Sequence, residues 1–100
     1  MRAKRTDKNH VEIANAFRQL GCSVADTSSL GKGYPDLTVG LLGKNLLVEV
    51  KNGTAKLNDR ENAFHEAWKG QICVVRTIEE AHEIVKFTRM WLPKLELAGV

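Results

Sequence analysis

Residues 33–53, "GYPDLTVGLLGKNLLVEVKNG", decide how the chain is read. Two β-rich runs, 37–42 and 45–51, flank Gly43 and Lys44, the spacing of a two-residue hairpin turn. Lys44 belongs to the turn, but Asp36, Glu49 and Lys51 fall where strand positions should be apolar. Strand side chains alternate faces, so Leu46, Val48 and Val50 point one way and Leu47, Glu49 and Lys51 the other. With the turn at Gly43-Lys44, counting outward sets Gly40 opposite Leu47, Thr38 opposite Glu49 and Asp36 opposite Lys51. Asp36 then joins the charged face, diagonal to Glu49. A turn longer by one residue would move the two acids to different faces unless a bulge compensated.

Two carboxylates at that separation can share one divalent cation. Mg²⁺ takes oxygen ligands at about 2.0–2.1 Å and keeps several waters, so two acids, a strand carbonyl and a substrate phosphate make a shell. Lys51 supplies positive charge to touch a scissile phosphate or hold an attacking water, while the metal stabilises charge on the phosphoryl oxygens. Read singly, Asp36 is a turn residue after Pro35, and Glu49 and Lys51 line an exposed face. Read together, the three are the equipment of phosphodiester hydrolysis.

The remaining sequence supplies a setting. A chain of 100 residues is the size of one domain, 1–100, and can bury a core unaided. No apolar run approaches the roughly 20 residues of a membrane span, so the expectation is a soluble, cytoplasmic protein without membrane contact or organic cofactor. Cys22 and Cys73 sit in apolar surroundings without zinc-site spacing and read as free thiols, a disulfide being the alternative. The net charge of +3 is mild, but Arg2, Lys4, Arg5 and Lys8 crowd the start, with 1–6 as a basic tail. Such a tail suits phosphate contacts, as does Lys32 in the loop, although a merely solvated tail has the same composition.

Val11, Ile13, Ala14, Phe17 and Leu20 recur at helical spacing over 7–20, with Gly21 as the stop. A short strand, 22–27, and a turn-rich loop, 28–35, lead into the hairpin. Ala63, Phe64, Ala67 and Trp68 mark a helix over 58–69, capped by Asn58 or Asp59 and stopped by Gly70. A strand over 71–76 precedes a helix over 77–92, capped by Thr77 with Glu80 three residues on and ending before Pro93. The order is α-β-β-β-α-β-α.

With Pro35-Asp36, twelve intervening residues and "EVK", the hairpin resembles the PD-(D/E)XK nuclease superfamily. The context, a leading acidic helix followed by "GKGYPDL", "LLVEVKNG" and "KLNDRENAFHEAWKGQICVVRT", resembles its virus-type replication-repair nuclease branch, VRR-NUC, over residues 12–81. That resemblance implies a restriction-endonuclease-like α/β core, a mixed sheet flanked by helices. It also implies Mg²⁺- or Mn²⁺-dependent hydrolysis of DNA, leaving a 5′-phosphate and a 3′-hydroxyl. Asp36 and Glu49 match the metal-binding acids, the carbonyl of Val50 the backbone ligand, and Lys51 the catalytic lysine. Glu12 matches an acid carried by many members on the first helix; on helix spacing alone it is equally a solvated partner of Lys8.

The branch often carries a glutamine in the helix after the lysine. Here Glu61 and Asn62 occupy that region, and Asn62 retains an amide for water or phosphate. His65, on the same helix, reads as a surface histidine. Small stand-alone members resemble Holliday-junction resolvases, which cut branched DNA as homodimers in repair and recombination. The expectation is therefore a junction-directed endonuclease of bacterial or phage origin, with a flap- or end-directed nuclease or a non-catalytic DNA-binding module as alternatives. Trp68, Trp91 and the stripe through Ile84, Val85 and Thr88 are candidates for a dimer interface, core being the commoner role of such a stripe.

Overall fold

In α1 (Lys8–Gln19) the spacing of Ile13, Ala14, Ala16 and Phe17 puts all four on one buried face. The helix ends in a Schellman motif: Gly21 takes φ +93°, its N–H donates to Arg18 O, and Cys22 N–H donates to Phe17 O. The Arg89 guanidinium donates to Leu20 O at 2.6 Å, tying this end to the last helix. The computed structural model describes residues 8–97, with side chains through Trp91. Arg2, Lys4 and Arg5 lie outside the described residues.

Four strands follow in sheet order β1-β2-β3-β4: β1 (Ser23–Asp26), β2 (Leu37–Leu41), β3 (Lys44–Val50) and β4 (Gln71–Val75). The first three are antiparallel and β4 runs parallel to β3. A parallel neighbour needs a crossover, and α2 (Asp59–Ala67) provides it. α3 (Ile78–Leu97) closes the chain. The mixed sheet, flanked by helices in the order α-β-β-β-α-β-α, is the α/β architecture expected.

The two sheet faces differ. Leu37, Val39, Val48 and Val75 turn toward α1 and α3 and join Ile13, Phe17, Ala81 and Val85 in one apolar cluster. Alternation sends Thr38, Leu47 and Glu49 to the opposite face, where α2 lies. α2 has no fully buried residue, so this second layer is thin. Both thiols are free, Cys22 buried and Cys73 half-buried. Among the described residues no helix is long and apolar enough to cross a membrane.

Two expectations change. The hairpin turn is Leu42-Gly43, not Gly43-Lys44: Leu41 pairs with Lys44 and Gly40 with Asn45. Both turn residues are left-handed, Leu42 at φ +55° and Gly43 at +76°, as a type I′ turn demands for strands of right-handed twist. Moving a two-residue turn back by one displaces every pair by two, an even number, so the faces survive while the partners change. Asp36 is consequently not opposite Lys51. Leu37 pairs with Val48, and one step further sets Asp36 across from Glu49.

The second change is that α3 does not stop before Pro93 but continues to Leu97. A proline in a helix interior removes one backbone N–H, which costs the helix stability without ending it. The stripe on α3 takes the commoner of its two expected roles, core rather than interface. Val85 is buried, Ile84 packs on the core, and Thr88 Oγ1 donates back to Ile84 O, so these three face inward rather than toward a partner. Phe87, Met90 and Trp91 form the outer row instead, exposed by 61%, 49% and 47%.

Leu42 is a non-glycine residue in a left-handed conformation that costs about 1–2 kcal/mol, and its side chain is largely exposed. Leu42→Asn, giving the preferred Asn-Gly pair, should stabilise the chain by about 1 kcal/mol in chemical denaturation.

Candidate active site

The site is assembled at the C-terminal ends of β3 and β4, from the thin side of the sheet. Thr27 fixes the approach of the preceding loop: its N–H donates to Asp36 O at 2.8 Å and its hydroxyl to Pro35 O at 2.8 Å. Asp36 Oδ2 then accepts the N–H of Val50 at 2.9 Å, closing the end of the hairpin with a side chain where a strand carbonyl would otherwise serve. In a strand the N–H and C=O of one residue point to the same edge, so the Val50 carbonyl is directed toward the Asp36 side.

Glu49 is the one buried charged residue among those described, only 3% exposed. Its carboxyl is pushed up to about 9, first by burial, then by a hydrogen bond with Asp36 and the negative charges of Asp36 and Glu61; Lys51 opposes. Its Oε1 is buried with no hydrogen-bond partner. Lys51 Nζ lies 2.8 Å from Glu61 Oε1, the two side chains 18% and 15% exposed. Burial pushes Glu61 up, but Lys51 and the Asn58 N–H together hold it below the ordinary glutamate range.

Helix α2 delivers Glu61 through its N-terminus. Asn58 is the cap: Oδ1 accepts from Glu61 N at 2.9 Å, and Glu61 Oε1 accepts from Asn58 N at 2.9 Å, a complete capping box. Glu61 faces Lys51, whereas Asn62 is exposed and donates to Leu57 O at 3.3 Å. The helix is further seated by the stacked Phe64 and Trp68 rings, which Tyr34 meets edge-on. Gly33, at φ +84°, touches its first turn so closely that a Cβ would collide with the Arg60 carbonyl.

Not every expected residue converges. Glu12 pairs with Lys8 at 3.8 Å and lines an open groove with Asn9, Asn52, Gly53 and Arg76, beside the strand ends. Lys32 is exposed, in a left-handed conformation at φ +58° between Gly31 and Gly33. His65 is not a plain surface histidine: its Nε2 is buried without a hydrogen-bond partner, and burial lowers its pKa against the pull of Glu61. Trp68 is 42% exposed.

Two positioning residues carry no sequence signal. Asn9 Nδ2 donates to Lys51 O at 3.1 Å and Arg76 O at 3.2 Å, tying α1 across the ends of β3 and β4. Arg76 donates to Gly53 O at 2.8 Å and Ala55 O at 2.7 Å, bracing the loop between Lys51 and α2. A lone asparagine or arginine with backbone acceptors leaves no periodic trace.

This arrangement is similar to a solved structure described as "VRR_NUC domain": the TM-score is 0.67 at 25% identity, over 79% of this chain and 91% of that one. The fold is that of a VRR-NUC nuclease domain. No protein-family model matches the chain, and no curated protein does. Within the VRR-NUC fold, the residues present fit a divalent cation. Glu49 offers a buried carboxyl oxygen with no partner, Asp36 lies directly across, and the Val50 carbonyl is directed to the same edge. Among the described residues no group of three or more His, Cys, Asp or Glu side chains is placed to hold a metal ion, so the carboxylates at hand are the Asp36–Glu49 pair.

The raised pKa of Glu49 has a thermodynamic sign. The folded state keeps its proton up to about 9 while the unfolded chain releases it near 4.5, so its stabilising contribution is complete below 4.5 and disappears as pH rises toward 9. Glu49→Gln cannot ionise. In chelator it should melt about 5 °C above wild type at pH 8 and within about 1 °C of it at pH 4.5, followed by thermal denaturation.

Proposed function

We propose that the chain is a metal-dependent, structure-selective DNA endonuclease that hydrolyses phosphodiester bonds at four-way junctions as a homodimer. The observation that carries this reading is the buried, partnerless Glu49 oxygen beside Asp36 and Lys51 on one sheet face, within a VRR-NUC fold. A buried carboxyl oxygen without a partner costs about 1–3 kcal/mol, and a bound cation would satisfy it.

Asp36, Glu49 and the Val50 carbonyl would hold Mg²⁺ or Mn²⁺, which supplies Lewis-acid stabilisation of charge on the phosphoryl oxygens. Lys51, two residues beyond Glu49 on the same face, would orient the attacking water or contact the scissile phosphate. Asp36, fixed by the Val50 N–H, cannot swing away from Glu49. Glu12 and Lys8 line the adjacent groove, Glu12 able to assist a water and Lys8 a flanking phosphate. Lys32, with Arg2, Lys4 and Arg5, adds basic contacts to the DNA backbone. Asn62 points away from this cluster and has no part in the reading.

The exposed Phe87, Met90 and Trp91 row supports self-association through α3, and a two-fold pair would face two strands of one junction. The work of such an enzyme is repair or recombination in the cytoplasm of a bacterium or a phage-infected cell.

Labelled four-way, flap, duplex and single-stranded DNA, each incubated with Mg²⁺, Mn²⁺ or chelator, test the reading. Paired symmetric nicks at the junction that vanish in chelator are expected. Asp36→Ala should weaken Mn²⁺ binding in calorimetry, and Lys51→Ala should bind the junction yet cut it about 10³-fold more slowly. Undiminished cutting by either variant refutes the site. Cutting confined to flaps or ends refutes the junction while retaining the chemistry, and DNA binding without any cutting leaves a non-catalytic module.

A further inference from the structure

The backbone just past β3, held by the Lys51 N–H donating to Val75 O, fixes only the first atoms of the Lys51 side chain; its four-carbon stem could place the ammonium over a wide arc. What holds the far end is Glu61, 2.8 Å from Nζ in a pair largely shielded from water. Glu61 is itself immobilised twice. The capping box fixes both its carboxylate and its N–H to Asn58. The first turn of α2 is also pressed against the loop leading to Asp36, at Gly33, where no side chain would fit. The carboxylate therefore has one location relative to both Asp36 and Lys51.

We infer that Glu61 is a positioning residue for Lys51, holding the ammonium at the acidic pair through a helix N-terminus locked by Asn58 and Gly33. The consequence for rate rests on the nuclease reading above; the geometry does not. A carboxylate here gives Lys51 a charged hydrogen-bond acceptor, and an amide would offer the same oxygen with a weaker hold. That ordering separates positioning from simple helix capping, because Glu61→Gln keeps both acceptor roles, Glu61→Ala loses both, and Asn58→Ala cuts the cap while leaving the Lys51 partner.

The test reads the Lys51 ammonium by ¹⁵N NMR, assigned by its disappearance in Lys51→Arg, alongside single-turnover cleavage of a junction. Wild type should show a resolved, slowly exchanging Nζ resonance. Glu61→Ala should lose it and cleave about 100-fold more slowly, with little change in the KM for DNA, measured well below its Tm. Glu61→Gln should retain the resonance and recover to within about tenfold of wild type. Asn58→Ala should also retain it, because it removes only the Oδ1 bond, and the backbone N–H at position 58 and the Gly33 contact still hold the carboxylate. An unchanged resonance in Glu61→Ala, or an equal loss in Asn58→Ala, overturns the inference. If the wild-type protein cuts no substrate, the nuclease reading fails alone, and the resonances still decide whether Glu61 holds Lys51.

Discussion

A carboxyl group sealed into the middle strand of a small sheet is the constraint around which this chain is organised. Glu49 sits on β3, between β2 and β4, where an apolar residue would cost nothing. Its proton is retained because the surroundings are dry and already negative. Each neighbour answers that burden in a different way. Asp36 shares a hydrogen bond with it while accepting a backbone N–H, Lys51 contributes charge two residues along, and Glu61 takes up that lysine from above. Removing Glu49 from consideration leaves an ordinary βαβ unit with a hairpin attached.

The placement follows from topology. Parallel pairing of β3 and β4 obliges a helix to cross over the sheet, and that helix begins just beyond the C-terminal end of β3, where open α/β sheets place their sites. The crossover brings Glu61 over Lys51. Asn9 and Arg76 then tie down backbone carbonyls at and just beyond the ends of β3 and β4, bracing the strand termini at the candidate site.

Much of this was legible because local signals agree with the fold. Alternation and a turn of two residues together placed Asp36, Glu49 and Lys51 on one face, and the stop at Gly21 and the cap at Thr77 follow from backbone requirements. The turn was misplaced by one residue because left-handed leucine is costly, and sequence reasoning prefers Gly43 at the first turn position. Face survived that error and pairing did not. Glu61 and Asn62 could not be separated until the cap was known to be Asn58, since one residue of helix phase turns a side chain by about 100°. Asn9, Arg76 and the buried His65 nitrogen were out of reach because their partners are distant in the chain. Pro93 was read as a terminator where it only weakens the final turns.

The unequal covering of the sheet bears on how such a chain tolerates change. One face, packed by α1 and α3, supplies the apolar cohesion; the other, under a short helix with no fully buried residue, carries the charged groups. Cohesion and chemistry are thus assigned to opposite sides of a single layer, about one strand thickness apart. Cores accept many apolar sequences of the right volume and pattern, so the cohesive side can drift while the charged side holds its geometry. A shared backbone at 25% identity is the outcome such a division of labour permits.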